Sequence, residues 1–500
     1  MKIKHIMSAL AIATCASTTS IADDFSDKLT AYVNKAQTQL GVNYGMAIAV
    51  VSGDKIIYDG YFGYSDFAAK RQVGAGDSFY IASATKPLTA LATLKLANKG
   101  VLDLDKSLAA YFPEVSFAPE VQADKITIRH LMNHTSGLDN EAIGFSAAYT
   151  GIQTLSLQIE RLNASASLVD APFGSFEYTN LGYNIISMII EREIGIPWQD
   201  VLRDEVFAPA HMKNTSAYMS AAKRDGWSTP KTYSFTSNDN HTPLYLTKRD
   251  NTMHAAGGVI ATAKDMGNFV IAELNDGKIN GEQVFSAALI AKSQEKSATQ
   301  DRNYSIYHRD GYGYGWNIGT LDNEVLLHHF GGFAGTSAHV SFMPQHDFGV
   351  VILTNEDMIT RVMNDLIANY AYDLMLGKEG ADETAQKSLD TWTKRKAGLE
   401  GQIKGRRAKQ ATRTRQLSME NAAYVGTYTN DLVGAITVSE TSEGNLKLSF
   451  GNMVAEAENF TKPETVRIEL VPGSGKIVQF KLDDGAASSF KYDAFYFTRN

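Results

Sequence analysis

A serine and a lysine three residues apart carry the first chemical signal of the sequence. Ser83 and Lys86 stand in the segment Ser-Ala-Thr-Lys, after the apolar run 79–82 and at the start of a leucine-rich stretch that predicts a helix. On a helix this spacing places both side chains on one face. A serine hydroxyl needs an adjacent base to become a nucleophile, and a lysine amine can supply one. Taken alone, Ser83 is better explained as a helix N-cap.

Two further segments supply groups that such a nucleophile uses. Tyr178-Thr179-Asn180 precedes an apolar helical stretch, and its phenol and amide can lie beside Lys86 and beside a substrate. His329-Phe330-Gly331-Gly332 lies on a predicted strand, from which a side chain and a backbone N–H can face Ser83. The three segments in this order indicate nucleophilic catalysis by serine.

Strands at both ends of the sequence must position these segments. Alternating apolar residues predict an N-terminal hairpin with strands Met46–Ser52 and Lys55–Phe62. The same pattern returns in four later segments, Tyr312–Ile318, Val325–His329, Ala338–Met343 and Val350–Leu353. A final helix is predicted at Arg361–Leu376. A helical middle separates the two sets. The sequence therefore predicts one antiparallel sheet built from both ends, with helices against it and an inserted helical lobe, an α/β arrangement.

The first 22 residues have the pattern of a secretory signal peptide. Lys2 and Lys4 precede an apolar core too short to span a bilayer, and small residues precede a cleavage position after Ala22. Cleavage removes Cys15, the only cysteine, so we expect a periplasmic or secreted protein without disulfides or thiolate sites. Lipid attachment at Cys15 is the weaker alternative, because Thr14 stands where a small residue is expected.

The composition changes twice beyond residue 376. Residues 377–419 are rich in charged and small residues and predict a solvated helical linker, with a basic surface for anionic polymers as the alternative. In residues 420–500, short alternating runs between Gly and Asp turns predict a small β-barrel or sandwich. The domain that carries the three segments is accordingly predicted at 23–376, after the signal peptide at 1–22.

The charge balance limits the partners of this chain. Its 500 residues carry 47 Lys and Arg against 55 Asp and Glu, a formal net charge of −8. This balance gives no excess of positive charge of the kind that binds nucleic acid, so we expect no nucleic-acid partner. Beyond the N-terminal core, no apolar stretch is long enough to predict a transmembrane segment.

The three segments closely resemble those of the class C β-lactamase-like serine hydrolases, which include penicillin-binding proteins, D-alanyl-D-alanine carboxypeptidases, D-aminopeptidases and esterases. Ile126–Leu138, which contains His-Thr-Ser-Gly-Leu, and Ala255–Met266 resemble two further stretches of that family. The resemblance covers roughly residues 25–376 and implies a β-lactamase/transpeptidase-like α/β (α+β) fold. The C-terminal part resembles the lipocalin-type barrel appended to some of these hydrolases.

The resemblance implies a role for each position. Ser83 would be acylated, while Lys86 and Tyr178 would share the acid/base work. Asn180 would hold the substrate amide and His329 would bind or polarise the substrate. The oxyanion hole would consist of the backbone N–H groups of Ser83 and Gly332, the latter next to Gly331. No metal and no organic cofactor is implied.

The third segment departs from the β-lactamase pattern. Class C β-lactamases carry Lys-Thr-Gly there, whereas this chain has His329-Phe330-Gly331. Histidine is mostly neutral at pH 7, which makes it a weaker anchor for a substrate carboxylate. We therefore expect a hydrolase of a D-amino-acid peptide or a simple ester. The alternatives are a β-lactamase and a catalytically silent penicillin-binding or sensing module; the oligomeric state stays open.

Two histidines in the Ile126–Leu138 stretch have the spacing of a zinc pair. His130 and His134 are four apart, but no Glu follows His130 as in hydrolytic zinc helices, so structural hydrogen bonding is the better interpretation. His328 neighbours His329 on a predicted strand and must point to the opposite face, where packing is expected.

Aromatic residues near the third segment allow two interpretations. Tyr312, Tyr314 and Trp316 alternate on the predicted strand and either line a substrate groove or, as is more common, belong to the core. Phe333 directly follows the glycines and is the better candidate for a pocket wall.

Overall fold

A computed structural model describes residues 13–237 and 239–500, with side chains from residue 24 onward. Most of the expected signal peptide therefore lies outside the described residues, and so does the side chain of Cys15. Helix α1 begins at Ala13 and ends at Leu40.

Thirteen helices are assigned in the described part of the chain. They are α1 (Ala13–Leu40), α2 (Lys86–Asn98), α3 (Leu108–Tyr111), α4 (Ile128–Met132), α5 (Glu141–Phe145), α6 (Leu155–Arg161), α7 (Leu181–Ile194), α8 (Trp198–Leu202), α9 (Met219–Arg224), α10 (Ala263–Leu274), α11 (Ala287–Gln294), α12 (Ile359–Met375) and α13 (Ala381–Ala411). Helices α3 to α9 form most of the inserted lobe.

The strands fall into one large sheet, one barrel and four short pairs. Those before the large C-terminal set are β1 (Met46–Ser52), β2 (Lys55–Phe62), β3 (Tyr64–Asp66), β4 (Arg71–Gln72), β5 (Phe79–Tyr80), β6 (Leu138–Asp139), β7 (Ala166–Ser167), β8 (Ile260–Ala261), β9 (Lys278–Ile279) and β10 (Glu282–Gln283). The later strands of the large sheet are β11 (Ala298–Tyr304), β12 (Tyr307–Tyr312), β13 (Asn317–Leu321), β14 (Glu324–Phe333), β15 (Thr336–Met343) and β16 (Phe348–Thr354). The barrel strands are β17 (Gly426–Asn430), β18 (Gly434–Glu440), β19 (Leu446–Phe450), β20 (Met453–Asn459), β21 (Thr465–Val471), β22 (Ser474–Asp483), β23 (Ala486–Tyr492) and β24 (Phe495–Arg499).

The large sheet joins the two ends of the hydrolase region, as predicted. Its order is β11-β12-β13-β14-β15-β16-β1-β2, and every neighbouring pair is antiparallel. Met46 in β1 lies opposite Thr354 in β16. The predicted hairpin strands have the bounds expected from the sequence, and the antiparallel sheet with an inserted helical lobe is confirmed.

The predicted strand Tyr312–Ile318 is wrong in its middle. Strand β12 ends at Tyr312 and β13 begins at Asn317, with a turn between them. Gly315 in this turn has φ +94°, and a Cβ there would lie 2.5 Å from the Cα of Pro87. The alternation of aromatic residues imitates a strand, but the glycine lets the turn pack against the start of α2.

Both faces of the sheet are buried. Along β1, Ala47 and Ala49 belong to the core shared with the helical lobe, α2 and α10, whereas Met46 and Ile48 belong to the core shared with α1, α12 and α13. Side chains alternate between the faces of a strand, so a continuously apolar strand buries both faces. The C-terminal helix α13 contributes Leu389 to the second core.

Strands β17 to β24 close into an eight-stranded barrel. One end of this barrel contacts the helical lobe. The ring of Phe145 lies 5.6 Å from that of Phe450 and 6.0 Å from that of Phe495, and Asn452 N–H donates to the carbonyl of Thr150 at 3.0 Å. The lobe and the barrel therefore share one apolar core.

Among the described residues, we find no helix that combines the length and the apolar character needed to cross a bilayer.

Candidate active site

Ser83 lies on a tight turn that leads into α2. Strand β5 pairs with β8, and Ile81 N–H donates to the carbonyl of Val259 at 3.0 Å. Ala82 then adopts φ +46°, a conformation that side-chain-bearing residues rarely take and that turns the chain sharply. Ser83 itself sits in a single 3-10 turn, Ala82–Thr85, and is half-buried. It thus precedes the α-helix on which the sequence analysis placed it.

Lys86 is the first residue of α2 and is fully buried. Its Nζ donates to Ser83 Oγ at 3.2 Å, to Asn180 Oδ1 at 2.7 Å and to the carbonyl of Ala256 at 2.8 Å. Burial lowers the pKa of Lys86 well below its usual value of 10.5. No carboxylate of the described residues contacts the amine, so neutral hydrogen-bond partners hold it beside the serine hydroxyl.

The Ala255–Met266 stretch forms the wall behind this lysine. The carbonyl of Ala255 accepts a hydrogen bond from the Thr89 hydroxyl of α2 at 2.8 Å. The next carbonyl, that of Ala256, accepts from Lys86. A Cβ on Gly257 would lie 3.2 Å from the His254 ring, and one on Gly258 would lie 2.2 Å from the His254 backbone N. Glycine at these two positions lets the backbone turn this closely, which explains why the stretch contains two adjacent glycines.

Tyr178 lies in an irregular loop that faces the serine and the lysine. Lys86 Nζ is 4.8 Å from the centre of the Tyr178 ring. Burial raises the pKa of Tyr178 above its usual value, while hydrogen bonding to Ser83 acts in the opposite direction. Asn180 follows at the N-terminal end of α7; it is exposed, and its Oδ1 accepts from the lysine.

His329 on β14 completes the cluster from the side of the sheet. Its ring centre is 6.0 Å from that of Tyr178 and 6.2 Å from that of Tyr312. Nδ1 donates to the carbonyl of Phe330 at 3.0 Å, so Nε2 is an acceptor, and it has no hydrogen-bond partner among the described residues. Burial, followed by the charge of Lys86, lowers the pKa of His329 well below 6.5. The His329 imidazole is therefore neutral, and its Nε2 is buried.

Gly331 and Gly332 bring β14 close to the nucleophile turn and to α12. A Cβ on Gly331 would stand 1.9 Å from the carbonyl oxygen of Ile81. A Cβ on Gly332 would stand 2.8 Å from Nη2 of Arg361, an exposed residue in the first turn of α12. The two glycines are thus positions where the backbone itself approaches its neighbours.

An aromatic rim lies next to these glycines. Phe333, which ends β14, contacts Tyr80 edge to face at 5.7 Å and stacks on Tyr149 at 5.6 Å. Nζ of Lys248 lies 3.9 Å from the centre of the Phe333 ring and donates to the carbonyl of Ala148 at 2.7 Å. Burial lowers the pKa of Lys248 to about 7.

The remaining sequence candidates lie elsewhere. His130 accepts from the backbone N–H of Thr127 at 3.2 Å and caps α4, so it does not converge with His134 on a common point. Within the described ranges, no group of three or more His, Cys, Asp or Glu side chains could hold a metal ion. His328 is buried on the opposite face of β14, stacked on Phe330 at 4.4 Å.

The three aromatic residues at the end of β12 and in the turn before β13 are core residues. Tyr314 and Trp316 are buried, and Trp316 packs against Phe342 at 5.0 Å, so the groove interpretation is wrong for both. Tyr312 is buried as well, but it lies beneath the site, next to His329.

A family profile described as Beta-lactamase matches residues 33–371, more than half of the chain. The chain belongs to the Beta-lactamase family. The matched range begins within α1 and ends within α12, and the barrel lies outside it.

Curated relatives of this β-lactamase-family chain are distant. It is 25% identical over 362 residues to Penicillin-binding protein 4* of Bacillus subtilis (strain 168), a match that covers 69% of this chain and 76% of that protein. It is 24% identical over 322 residues to Protein flp of Staphylococcus aureus (strain MW2), covering 62% of this chain and 59% of that protein. These relatives support the family membership.

Solved structures show the same fold. An octameric penicillin-binding protein homologue from Pyrococcus abyssi superposes with a TM-score of 0.60 at 20% identity, covering 95% of this chain and 99% of that one. A D-amino acid amidase from Ochrobactrum anthropi SV3 superposes with a TM-score of 0.56 at 20% identity, covering 73% and 99%. The chain therefore has the β-lactamase/transpeptidase fold with a closed eight-stranded barrel added, as the resemblance implied.

Four features of this β-lactamase-family site escaped the sequence analysis. The backbone carbonyl of Ala256 and the left-handed Ala82 have no side-chain signal at all. Lys248 and Arg361 are single basic residues outside any motif, which only the folded chain brings to the cleft rim and to β14. Their positions depend on long-range packing that spacing along the sequence does not encode.

Proposed function

We propose that this chain is an exported serine hydrolase that cleaves an amide or ester bond through a Ser83 acyl-enzyme. The observation that carries the proposal is the buried amine of Lys86 at 3.2 Å from Ser83 Oγ. Burial lowers the pKa of this lysine well below 10.5 and so favours the neutral amine, the form that can act as the base a serine nucleophile requires. The D-amino acid amidase among the structural neighbours and the penicillin-binding protein among the relatives support this class of reaction.

We propose the following steps for this reaction. Lys86 takes the proton from Ser83 Oγ while the oxygen bonds to the substrate carbonyl carbon. The backbone N–H groups of Ser83 and Gly332 donate to the oxyanion of the tetrahedral intermediate. Tyr178 passes the proton to the leaving amine or alcohol, and water then attacks the acyl-enzyme by the reverse route. Asn180 holds the substrate amide.

The substrate class we propose is a small D-amino-acid peptide or amide, or a simple ester. The rim formed by Tyr80, Tyr149 and Phe333 offers an aromatic wall to an apolar group next to the scissile bond. The neutral His329 supplies a hydrogen-bond acceptor there instead of the fixed positive charge of a lysine. A β-lactam is therefore the less favoured substrate.

The first experiment incubates residues 23–500 with benzylpenicillin, and intact mass is read together with the mass of the antibiotic. A lasting adduct on Ser83 supports a penicillin-binding site with slow deacylation, and consumption of the antibiotic without an adduct supports a β-lactamase. If neither occurs, ester and D-amino-acid amide probes follow.

Lys86→Met should abolish any turnover found, whereas Lys95→Met, later on α2 and paired with Glu205 at 3.2 Å, should not. Turnover that survives Ser83→Ala contradicts the proposal and indicates another catalytic site, whereas no turnover of any probe by the native protein supports the silent module.

We also propose that the chain is exported with cleavage after Ala22. The predicted organisation, 23–376 for the hydrolase, 377–419 for the helical linker and 420–500 for the barrel, then describes the mature protein. Intact mass of the protein recovered from the periplasm tests this: a chain beginning at Asp23 supports it. A lipid-modified Cys15 at the N-terminus would show the alternative.

A further inference from the structure

His134 accepts hydrogen bonds from the two residues that flank Tyr178. The backbone N–H of Glu177 donates to the carbonyl of His134 at 2.9 Å. The backbone N–H of Thr179 donates to Nδ1 of the same histidine at 3.3 Å. One residue therefore accepts from the backbone N–H groups of the residues immediately before and after the tyrosine.

The ring of His134 also packs on Tyr178. The two ring centres are 4.6 Å apart, and on another side the ring of Tyr312 meets the imidazole at 4.7 Å in an edge-to-face arrangement. Residues 168–180 contain neither helix nor strand, so no ladder of backbone hydrogen bonds fixes the loop. The position of Tyr178 consequently depends on the few contacts that hold this loop.

The backbone of His134 is set up for this double contact. Its φ is +62°, a left-handed conformation that few side-chain-bearing residues adopt. Because Nδ1 accepts the Thr179 N–H, the ring proton is on Nε2 and the imidazole is neutral. Burial lowers the pKa of His134 well below 6.5 and maintains that state.

We propose that His134 is a positioning residue that fixes Tyr178 for proton transfer by holding the backbone N–H groups of Glu177 and Thr179 and by packing on the Tyr178 ring. The inference rests on the proposed function, because it assigns a role in the same reaction. No hydrogen bond joins the described side chain of His134 to Ser83 or Lys86, so the histidine acts through the tyrosine. His130, four residues earlier, packs on Phe173 and caps α4 instead.

Three variants separate the contacts. His134→Asn can keep the left-handed backbone and offers Oδ1 in place of Nδ1, but it lacks the ring. His134→Ala loses the acceptor and the ring. His130→Ala, in the same stretch without contact to Tyr178, is the matched control. The readout is turnover of the ester or D-amino-acid amide probe, whose leaving alcohol or amine must take up a proton, with the maximal rate and the half-saturating concentration measured separately. Thermal unfolding shows that each variant is folded.

We expect His134→Ala to lower the maximal rate by roughly 100-fold, the size of a general acid–base contribution, with little change in the half-saturating concentration. His134→Asn should recover part of this rate, and His130→Ala should keep it. In a Tyr178→Phe background the His134 substitutions should cost less than about threefold, because residues that act as a unit are not additive.

Equal losses in both backgrounds would overturn the proposal, and so would a His134→Ala rate equal to that of the His130→Ala control. If His134→Ala does not fold, His134→Asn carries the same comparison, with about a tenfold loss expected in the native background. The companion variant Ser83→Ala distinguishes the two proposals. Turnover that survives Ser83→Ala overturns the proposed function together with this inference, whereas Ser83-dependent turnover with additive losses overturns only the role of His134.

Discussion

Gly331 of β14 and the carbonyl group of Ile81 are in such close contact that a methyl group on the glycine would stand 1.9 Å from the carbonyl oxygen. This contact joins the strand that carries His329 to the turn that carries Ser83. The distance between the two halves of the site is therefore set by the absence of a side chain at one position of the strand.

Gly331→Ala should separate these halves. The added carbon cannot share the space with a backbone oxygen, so the strand or the turn must move, and displacements of about 1 Å can cost about 100-fold in rate. We expect a loss of that order in Ser83 modification by a fluorophosphonate, together with a lower unfolding midpoint. Gly76→Ala is the control, because a Cβ there meets nothing within 4 Å. An unchanged rate in Gly331→Ala contradicts the geometry.

The pH dependence of activity should report Lys86. Burial lowers its pKa below 10.5, and the amine acts as a base only above its folded pKa. We expect kcat/KM to rise with pH through an acid limb that lies well below pH 10.5, and then to level off. Asn180→Ala removes an acceptor that stabilises the ammonium form, so it should move that limb to lower pH. An acid limb near pH 10 in the native protein would mean that Lys86 behaves as an exposed lysine and is not the base.

Lys248 should make folding stability depend on pH. Its pKa is about 7 in the folded protein and 10.5 when exposed. Below pH 7, Lys248 is protonated in both the folded and the unfolded protein, so folding must bury a full positive charge. Above pH 10.5 it is neutral in both, and this cost is absent. Stability should therefore rise between these values. Lys248→Met should flatten this part of the curve in urea unfolding, whereas Lys264→Met, at an exposed position of α10, should leave it unchanged. The same slope in native protein and Lys248→Met contradicts the assignment.

The barrel should be anchored to the lobe by Phe145. This ring packs against Phe450, Tyr492 and Phe495, so Phe145→Ala removes a half-buried aromatic contact. We expect a loss of about 2 kcal/mol of unfolding free energy and faster proteolysis between α12 and β17. Tyr496→Ala is the control, since that ring is 68% exposed. Equal stability of the two variants would show that the barrel does not depend on this contact.

Periodicity predicted the sheet well, because both faces of strands such as β1 are apolar and bounded by turns. It failed at Tyr314 and Trp316, where aromatic residues in a turn imitate the alternation of a strand. Ser83, Tyr178 and His329 were assigned to one site because whole stretches of the sequence resemble the family. Spacing alone could not predict this, because these residues meet only in a fold that joins distant segments. The carbonyl of Ala256 and the φ of Ala82 could not be predicted, since a backbone atom or angle leaves no mark in the residue type.

The pairing of β1 with β16 also sets the order in which the protein can be completed on the ribosome. The hairpin of β1 and β2 emerges early, but its partner strand is made only after the whole helical lobe. During that interval the apolar edge of β1 has no partner, and an open edge of this kind invites pairing with other chains. A chain that stops before Phe348 should therefore aggregate rather than form a smaller enzyme.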